Sequence, residues 1–310
     1  MRQLTMGEAV HCFAHCTITF QEKGTRIMET ILLRNQIPMP LQGFGVFQIT
    51  DTVLCEQAVT QALQAGYRLI DTAACYGNER AVGKAVAESG IPRQDIFLVS
   101  KVWIQDAGYE QTKQSFFKTL ANLQTDYLDL YLIHMPYGDY HGSWRAMEEL
   151  YEEGLIRAIG VCNFLPDRLT DLILTHRIAP MVNQMEIHPF CQQAELRTLM
   201  AQYQIQPMAW APFAEGQNQI FTHPLLTQIG QAYGKTPAQV VLRWLLQNRI
   251  VAIPKSVHED RIRENYSIDD FVLSQEDMEQ IQKMDLGHSV ILNITSLDEV
   301  HRLHGIRFEQ

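Results

Sequence analysis

Asp71 and Tyr76 stand five residues apart in the stretch DTAACYGNE (71–79), directly after Tyr67-Arg68-Leu69-Ile70, which reads as a strand. Lys101 closes the next apolar run, IFLVSK (96–101), and His134 closes the one after it, LDLYLIH (128–134). A carboxylate, a phenol, an ammonium and an imidazole thus end three consecutive strand candidates. That set suits a tuned proton donor. A phenol has an ordinary pKa of about 10 and is a better acid nearer neutrality. Bringing it down by ~2–3 pH units takes ~3–4 kcal/mol of preference for the phenolate. An ammonium ~4 Å away at an effective dielectric of ~20 contributes about that much. Lys101 is therefore expected to lower the pKa of Tyr76. Asp71 would keep the lysine charged and oriented, while itself opposing the phenolate. Taken singly, each residue has a plainer reading. Asp71 could be a turn cap, Tyr76 a packed aromatic, Lys101 a solvated charge and His134 a core histidine. Their joint placement favours chemistry.

The elements that must position them alternate. Strand candidates lie at 41–46, 67–71, 96–101, 128–134, 156–163, 180–187, 205–211 and 249–255. Between them run segments with apolar residues at three- and four-residue spacing, such as TVLCEQAVTQALQAG and PAQVVLRWLLQN, as amphipathic helices require. Eight strand–helix units in about 250 residues predict an α/β fold of the (β/α)8 TIM barrel type, in which strand carboxyl ends converge on one mouth. The open alternative, a doubly wound sheet, is weakened by Gly43-Phe44-Gly45, which begins a dinucleotide fingerprint and lacks its third glycine. A short N-terminal β-hairpin should precede the barrel, and the tail VILNITSLDEVHRLHGIRFEQ could fold over the mouth. Residues 1–27 are expected to be a disordered extension outside a single domain of residues 28–310.

The 310 residues, 46% hydrophobic and 19% charged, describe an ordinary globular chain. The net charge of −10 argues against a general nucleic-acid or anionic-membrane binder. No apolar run approaches the ~20 residues that span a bilayer. Six scattered cysteines form no disulfide framework and point to reduced thiols in the cytoplasm. Cys12 and Cys16 with their neighbouring histidines lack a second half-site, so no metal is expected.

DTAACYGNE, VSKVW, DLYLIHMP, GVCNF, VNQMEIHP and IPKSVHEDRIREN resemble, in order and over roughly residues 29–285, the signature stretches of the aldo-keto reductase family. The resemblance implies a (β/α)8 barrel that reduces aldehydes and ketones with NADPH and no metal, usually as a monomer. It puts Asp71, Tyr76, Lys101 and His134 on the catalytic positions. Hydride addition to a carbonyl leaves an alkoxide that needs a proton, which Tyr76 would supply, while His134 orients the carbonyl oxygen or shares in its protonation.

For the cofactor, the resemblance assigns Lys255, Ser256, Val257 and Arg261 to the 2′-phosphate of NADPH and places Glu264 and Asn265 near the adenine. The residues agree: cations and a hydroxyl before a short helix suit a phosphate monoester. Asn163 and Gln184 match positions that hold the nicotinamide carboxamide, and Trp210 matches the stacking aromatic. Tryptophan there is similar to the bacterial diketogluconate-reductase branch. Cys162 stands where the family usually has serine, a stronger hydrogen-bond partner, and Met135 replaces a common tryptophan. Phe47 and Trp103, with His134, resemble the substrate walls. Small dicarbonyls or keto-sugars would fit. Two alternatives remain open: an NADPH-binding regulatory barrel with incidental turnover, and a phosphate-handling barrel isomerase or lyase.

Overall fold

The computed structural model describes residues 28–308. The expectations on residues 1–27, including Cys12 and Cys16, lie outside the described residues. An antiparallel hairpin comes first, β1 (Thr30–Leu32) against β2 (Pro38–Pro40), with Thr30 opposite Pro40. Eight parallel strands follow in chain order: β3 (Gly43–Gly45), β4 (Leu69–Asp71), β5 (Phe97–Val102), β6 (Leu130–Ile133), β7 (Ile159–Cys162), β8 (Val182–Glu186), β9 (Gln206–Trp210) and β10 (Val251–Ala252). Every expected strand is present; seven are shorter than their apolar runs, and β5 has the length of its run shifted by one residue. Ala252 N donates to Leu41 O at 2.9 Å and Gly45 N to Pro254 O at 3.1 Å, bringing β10 back to β3 and rounding the sheet into a barrel. Parallel strands cannot be joined by tight turns, so each crossover carries a helix.

The helices are α1 (Thr52–Ala65), α2 (Glu79–Glu88), α3 (Tyr109–Leu123), α4 (Tyr140–Glu152), α5 (Pro166–Thr175), α6 (Ala194–Gln202), α7 (Pro224–Tyr233), α8 (Pro237–Gln247), α9 (Glu259–Tyr266), α10 (Gln275–Gln282) and α11 (Leu297–Gly305). Their ends obey local chemistry. Asp51 accepts from Leu54 N at 2.8 Å to start α1, and Gly66 ends it at φ 116°, where a Cβ would also strike the Tyr266 ring 2.6 Å away. Thr236 and Gln239 form a reciprocal capping box on α8. Inside the barrel wall, Gly160 leaves room for Val182 O, which a Cβ would approach to 2.5 Å.

Leu69, Leu98, Leu132 and Ile159 fill the barrel strands, and Trp144 and Trp244 pack the helix layer, all at most 2% exposed. Each such aliphatic side chain contributes about 1.5–3 kcal/mol of burial. The registers Asp71↔Val99, Lys101↔Leu132 and Cys162↔Gln184 bring the polar strand ends to one level. Among the described residues no helix is long and apolar enough to cross a membrane. Helix α11 and the tail pack at this same end: Trp103 Nε1 donates to Ile306 O at 3.2 Å, and Gln105 Nε2 to Phe308 O at 3.2 Å.

Candidate active site

Lys101 is the best-defined point of the mouth. It lies on β5, inside a barrel whose neighbours fill the space around it, and its side chain is 0% exposed. A buried ammonium needs partners. Lys101 Nζ donates to Asp71 Oδ1 at 2.6 Å and to Thr72 O at 2.8 Å. The other carboxylate oxygen, Asp71 Oδ2, accepts from Gln184 Nε2 at 2.8 Å, across the barrel from β8. Burial raises the Asp71 carboxyl, while the ammonium and the Gln184 amide pull it back. A pair this deeply buried is close to break-even in stability, yet losing one partner would cost ~3–5 kcal/mol.

Tyr76 follows on a single 3-10 turn, Ala74–Tyr76, that leaves the end of β4. Asn78 fastens that turn by donating to Val46 O at 2.9 Å and Ile49 O at 3.2 Å, and accepts from Thr72 Oγ1 at 2.8 Å. Lys101 Nζ lies 5.0 Å from the centre of the Tyr76 ring. The expected lowering of the phenol is not found. Burial pushes Tyr76 well above its ordinary value, and the negative charge of Asp71 adds to the rise. The physical reason is visible in the contacts. The ammonium that was to lower the phenol is already matched by the carboxylate, and desolvation outweighs what is left. Tyr76 is therefore a neutral O–H donor throughout the physiological range.

His134 completes the group. Its ring lies edge-on to Tyr76 at 5.6 Å and to Trp103 at 4.9 Å, measured between centroids. Burial, and then the charge of Lys101, holds it well below the ordinary histidine value, so it is neutral. Cys75 Sγ sits 3.4 Å from His134 Nδ1. Phe47 is half exposed and tilts over Tyr76 with a centroid distance of 4.9 Å. The structure thus brings Asp71, Tyr76, Lys101, His134, Phe47 and Trp103 into one cluster.

A second set continues around the mouth. Asn163 ends β7 at φ 61°, a left-handed conformation that asparagine tolerates better than most residues. Its Oδ1 accepts from Trp210 Nε1 at 2.9 Å, and its Nδ2 donates to His134 O at 3.2 Å. Among the described residues, Cys162 Sγ makes one long contact, to Gln184 Oε1 at 3.9 Å. Gln184 therefore touches both sets, which its place in the sequence did not reveal.

The loop after β10 is different. Lys255 and Arg261 are exposed, and among the described residues neither has an ion pair. Ser256 is buried, and its Oγ accepts from His258 N at 3.1 Å. A cation and a hydroxyl before α9 and a second cation, Arg261, in its first turn fit an anionic group, although Glu259 and Asp260 in that turn oppose it. Asn265 is buried, and Glu264 is already tied to Thr236 Oγ1 at 2.7 Å.

Reasoning from the sequence missed Thr72, Cys75, Asn78 and the tail contact of Trp103. The first three lie inside the same stretch as Asp71 and Tyr76, so their position was the available signal.

A (β/α)8 barrel with a buried carboxylate–ammonium pair, a neutral phenol and a neutral imidazole gathered at its strand ends marks that mouth as the candidate active site. Residues 44–286 match the model of the aldo/keto reductase family. The chain is 48% identical over 267 residues to the glyoxal reductase of Bacillus subtilis (strain 168), covering 86% of this chain and 96% of that one. It is 40% identical over 260 residues to the methylglyoxal reductase DkgA of Escherichia coli (strain K12), covering 83% and 94%. The crystal structure of a Bombyx mori aldo-keto reductase in complex with NADP superposes with a TM-score of 0.80 at 30% identity, covering 88% and 96%. The chain belongs to the aldo/keto reductase family and is an oxidoreductase of carbonyl groups.

Proposed function

We propose that this protein reduces small α-dicarbonyls of the glyoxal and methylglyoxal type to hydroxycarbonyls with NADPH, and that Tyr76 supplies the proton. The observation that carries the reading is the cluster at the strand ends, in which the buried Asp71–Lys101 pair meets the half-buried Tyr76 and His134. NADPH, when bound, supplies the hydride. Asn163 and Gln184 would hold its carboxamide, Trp210 would lie against its ring, and Lys255, Ser256, Val257 and Arg261 would take its 2′-phosphate, with Glu264 and Asn265 near the adenine. Two side chains then act on the carbonyl oxygen. His134, neutral, donates a hydrogen bond that orients it, and Tyr76 O–H transfers its proton as negative charge develops there. The phenolate that results is a strong base, so it is reprotonated from solvent before the next turnover. Asp71 keeps Lys101 fixed beside the phenol.

Two relatives with dicarbonyl names support the substrate class. So do the apolar side chains of Phe47 and Trp103 beside the cluster, the latter donating to Ile306 O of the tail. Keto-sugars are the wider class that the same mouth would admit. As a finer reading, the enzyme works as a cytoplasmic monomer, in keeping with the free Cys55, Cys75, Cys162 and Cys191.

The test is oxidation of NADPH and NADH by purified protein against glyoxal, methylglyoxal, keto-sugars and simple aldehydes. The expected result is the highest kcat/KM for the dicarbonyls and at least a tenfold preference for NADPH, the size of one charge-assisted hydrogen bond of ~1.5–3 kcal/mol. Equal use of NADH overturns the phosphate assignment, and a keto-sugar far ahead of the dicarbonyls overturns the substrate. Tight NADPH binding without turnover would favour the regulatory alternative.

A further inference from the structure

His134 has two ring nitrogens, and the contacts treat them differently. Nδ1 faces the thiol of Cys75 at 3.4 Å, whereas no hydrogen bond among the described residues reaches Nε2. A neutral imidazole carries one proton, and what meets Nδ1 decides which nitrogen holds it. Cys75 lies in the same 3-10 turn as Tyr76, so its place is fixed by the turn that presents the phenol. It also packs against the cluster of Trp103, Met135 and Leu303, beside the tail.

The thiol keeps its proton. Burial pushes Cys75 up to about 12, well clear of the range in which a thiolate forms. Imidazole nitrogen is a good acceptor, and thiol sulfur is a weak one. The favourable pairing is therefore S–H donating to Nδ1, which leaves the imidazole proton on Nε2. An Nε2–H can donate to a carbonyl oxygen. The opposite tautomer would turn a nitrogen lone pair towards that oxygen and repel it.

We propose that Cys75 is a positioning residue: through His134 Nδ1 it fixes the Nε2–H tautomer and so sets how the carbonyl oxygen is held. The proposal rests on the reading that His134 meets the carbonyl. It goes beyond that reading by naming the group that prepares the imidazole.

Two substitutions separate the donor from the volume. Cys75→Val removes the donor and roughly keeps the size, while Cys75→Ser keeps a donor. The first readout is nitrogen-15 NMR of the imidazole of His134, identified by its loss in His134→Gln. The second is the split between KM and kcat for methylglyoxal. Wild type and Cys75→Ser are expected to carry the proton on Nε2. In Cys75→Val the Nδ1–H form should gain population, with KM rising roughly three- to tenfold, the size of one ordinary hydrogen bond, and kcat changing less. A proton on Nδ1 in the wild type overturns the proposal. So does a Cys75→Val protein whose tautomer and KM match the wild type. If His134→Gln leaves kcat/KM unchanged, the role given to His134 itself fails, and the NMR result shows separately whether Cys75 sets the tautomer.

Discussion

Lys101, in the strand-end cluster proposed to meet the carbonyl, is wholly buried and held by Asp71 and Thr72. Lys255, on the loop proposed to take the cofactor phosphate, is exposed and has no ion pair among the described residues. The first lysine is positioned by strands β4 and β5, whose register places Asp71 beside Val99, two residues before Lys101. The second sits on a loop after a strand only two residues long. The difference separates two tasks. A proton donor must be held to a fraction of an ångström before the substrate arrives, so its neighbours are built into the barrel wall. A phosphate site needs charge within reach, which a solvated loop provides. The first kind of site couples function to stability, and the second does not.

Mutations at the two ends should therefore fail in different ways. Asp71→Ala leaves the Lys101 ammonium buried without its carboxylate. Unfolding free energy is expected to fall by about 3–5 kcal/mol, measured by denaturant titration, with turnover falling as well. A loss under 1 kcal/mol would break the contrast, since it would mean the pair is not structural. Arg261→Ala should leave the unfolding midpoint where it is and weaken NADPH by about tenfold to a hundredfold, with NADH hardly changed. Fluorescence titration of both cofactors reads this directly, and equal losses for the two would place Arg261 away from the 2′-phosphate. Between these ends, Cys162→Ser should bind NADPH as well as the wild type or a few-fold tighter, because a hydroxyl is a better partner than a thiol that reaches only Gln184 Oε1. A large loss of binding would show that the sulfur has a task of its own.

The smallest expected effect is on pH. Tyr76 is raised and His134 lowered, so the phenol keeps its proton and the imidazole stays neutral across neutrality. With reference values near 10 and 6.5, kcat should be level from about pH 7 to 9. A fall with a midpoint inside that window as pH rises would mean that the phenol titrates there after all.

What the sequence made legible follows the same division. The eight strands were readable because each is a short apolar run between helices of 3.6-residue period, and the strand-end residues Asp71, Lys101 and His134 could be picked out by position alone. Strand limits were not, because pairing stops where neighbours stop: the run 41–46 pairs as a strand only over Gly43–Gly45. The direction of the Tyr76 shift was also hidden. It depends on how far the barrel mouth desolvates the phenol and on the ammonium already being matched by Asp71, and both are properties of the packed molecule. Helix α11 buries one side chain, Leu303, and nothing in its sequence said that the tail would dock on Trp103 rather than elsewhere.

The central claim is that the neutral Tyr76 phenol, held by the Asp71–Lys101 pair, donates the proton. Its most direct test is kcat for methylglyoxal in Tyr76→Phe beside the wild type, with NADPH affinity measured on both. The account predicts a fall of about 10²–10⁴-fold in kcat, the usual contribution of a general acid, with NADPH affinity unchanged. Turnover within a few-fold of the wild type would contradict it and place the proton donor elsewhere in the mouth.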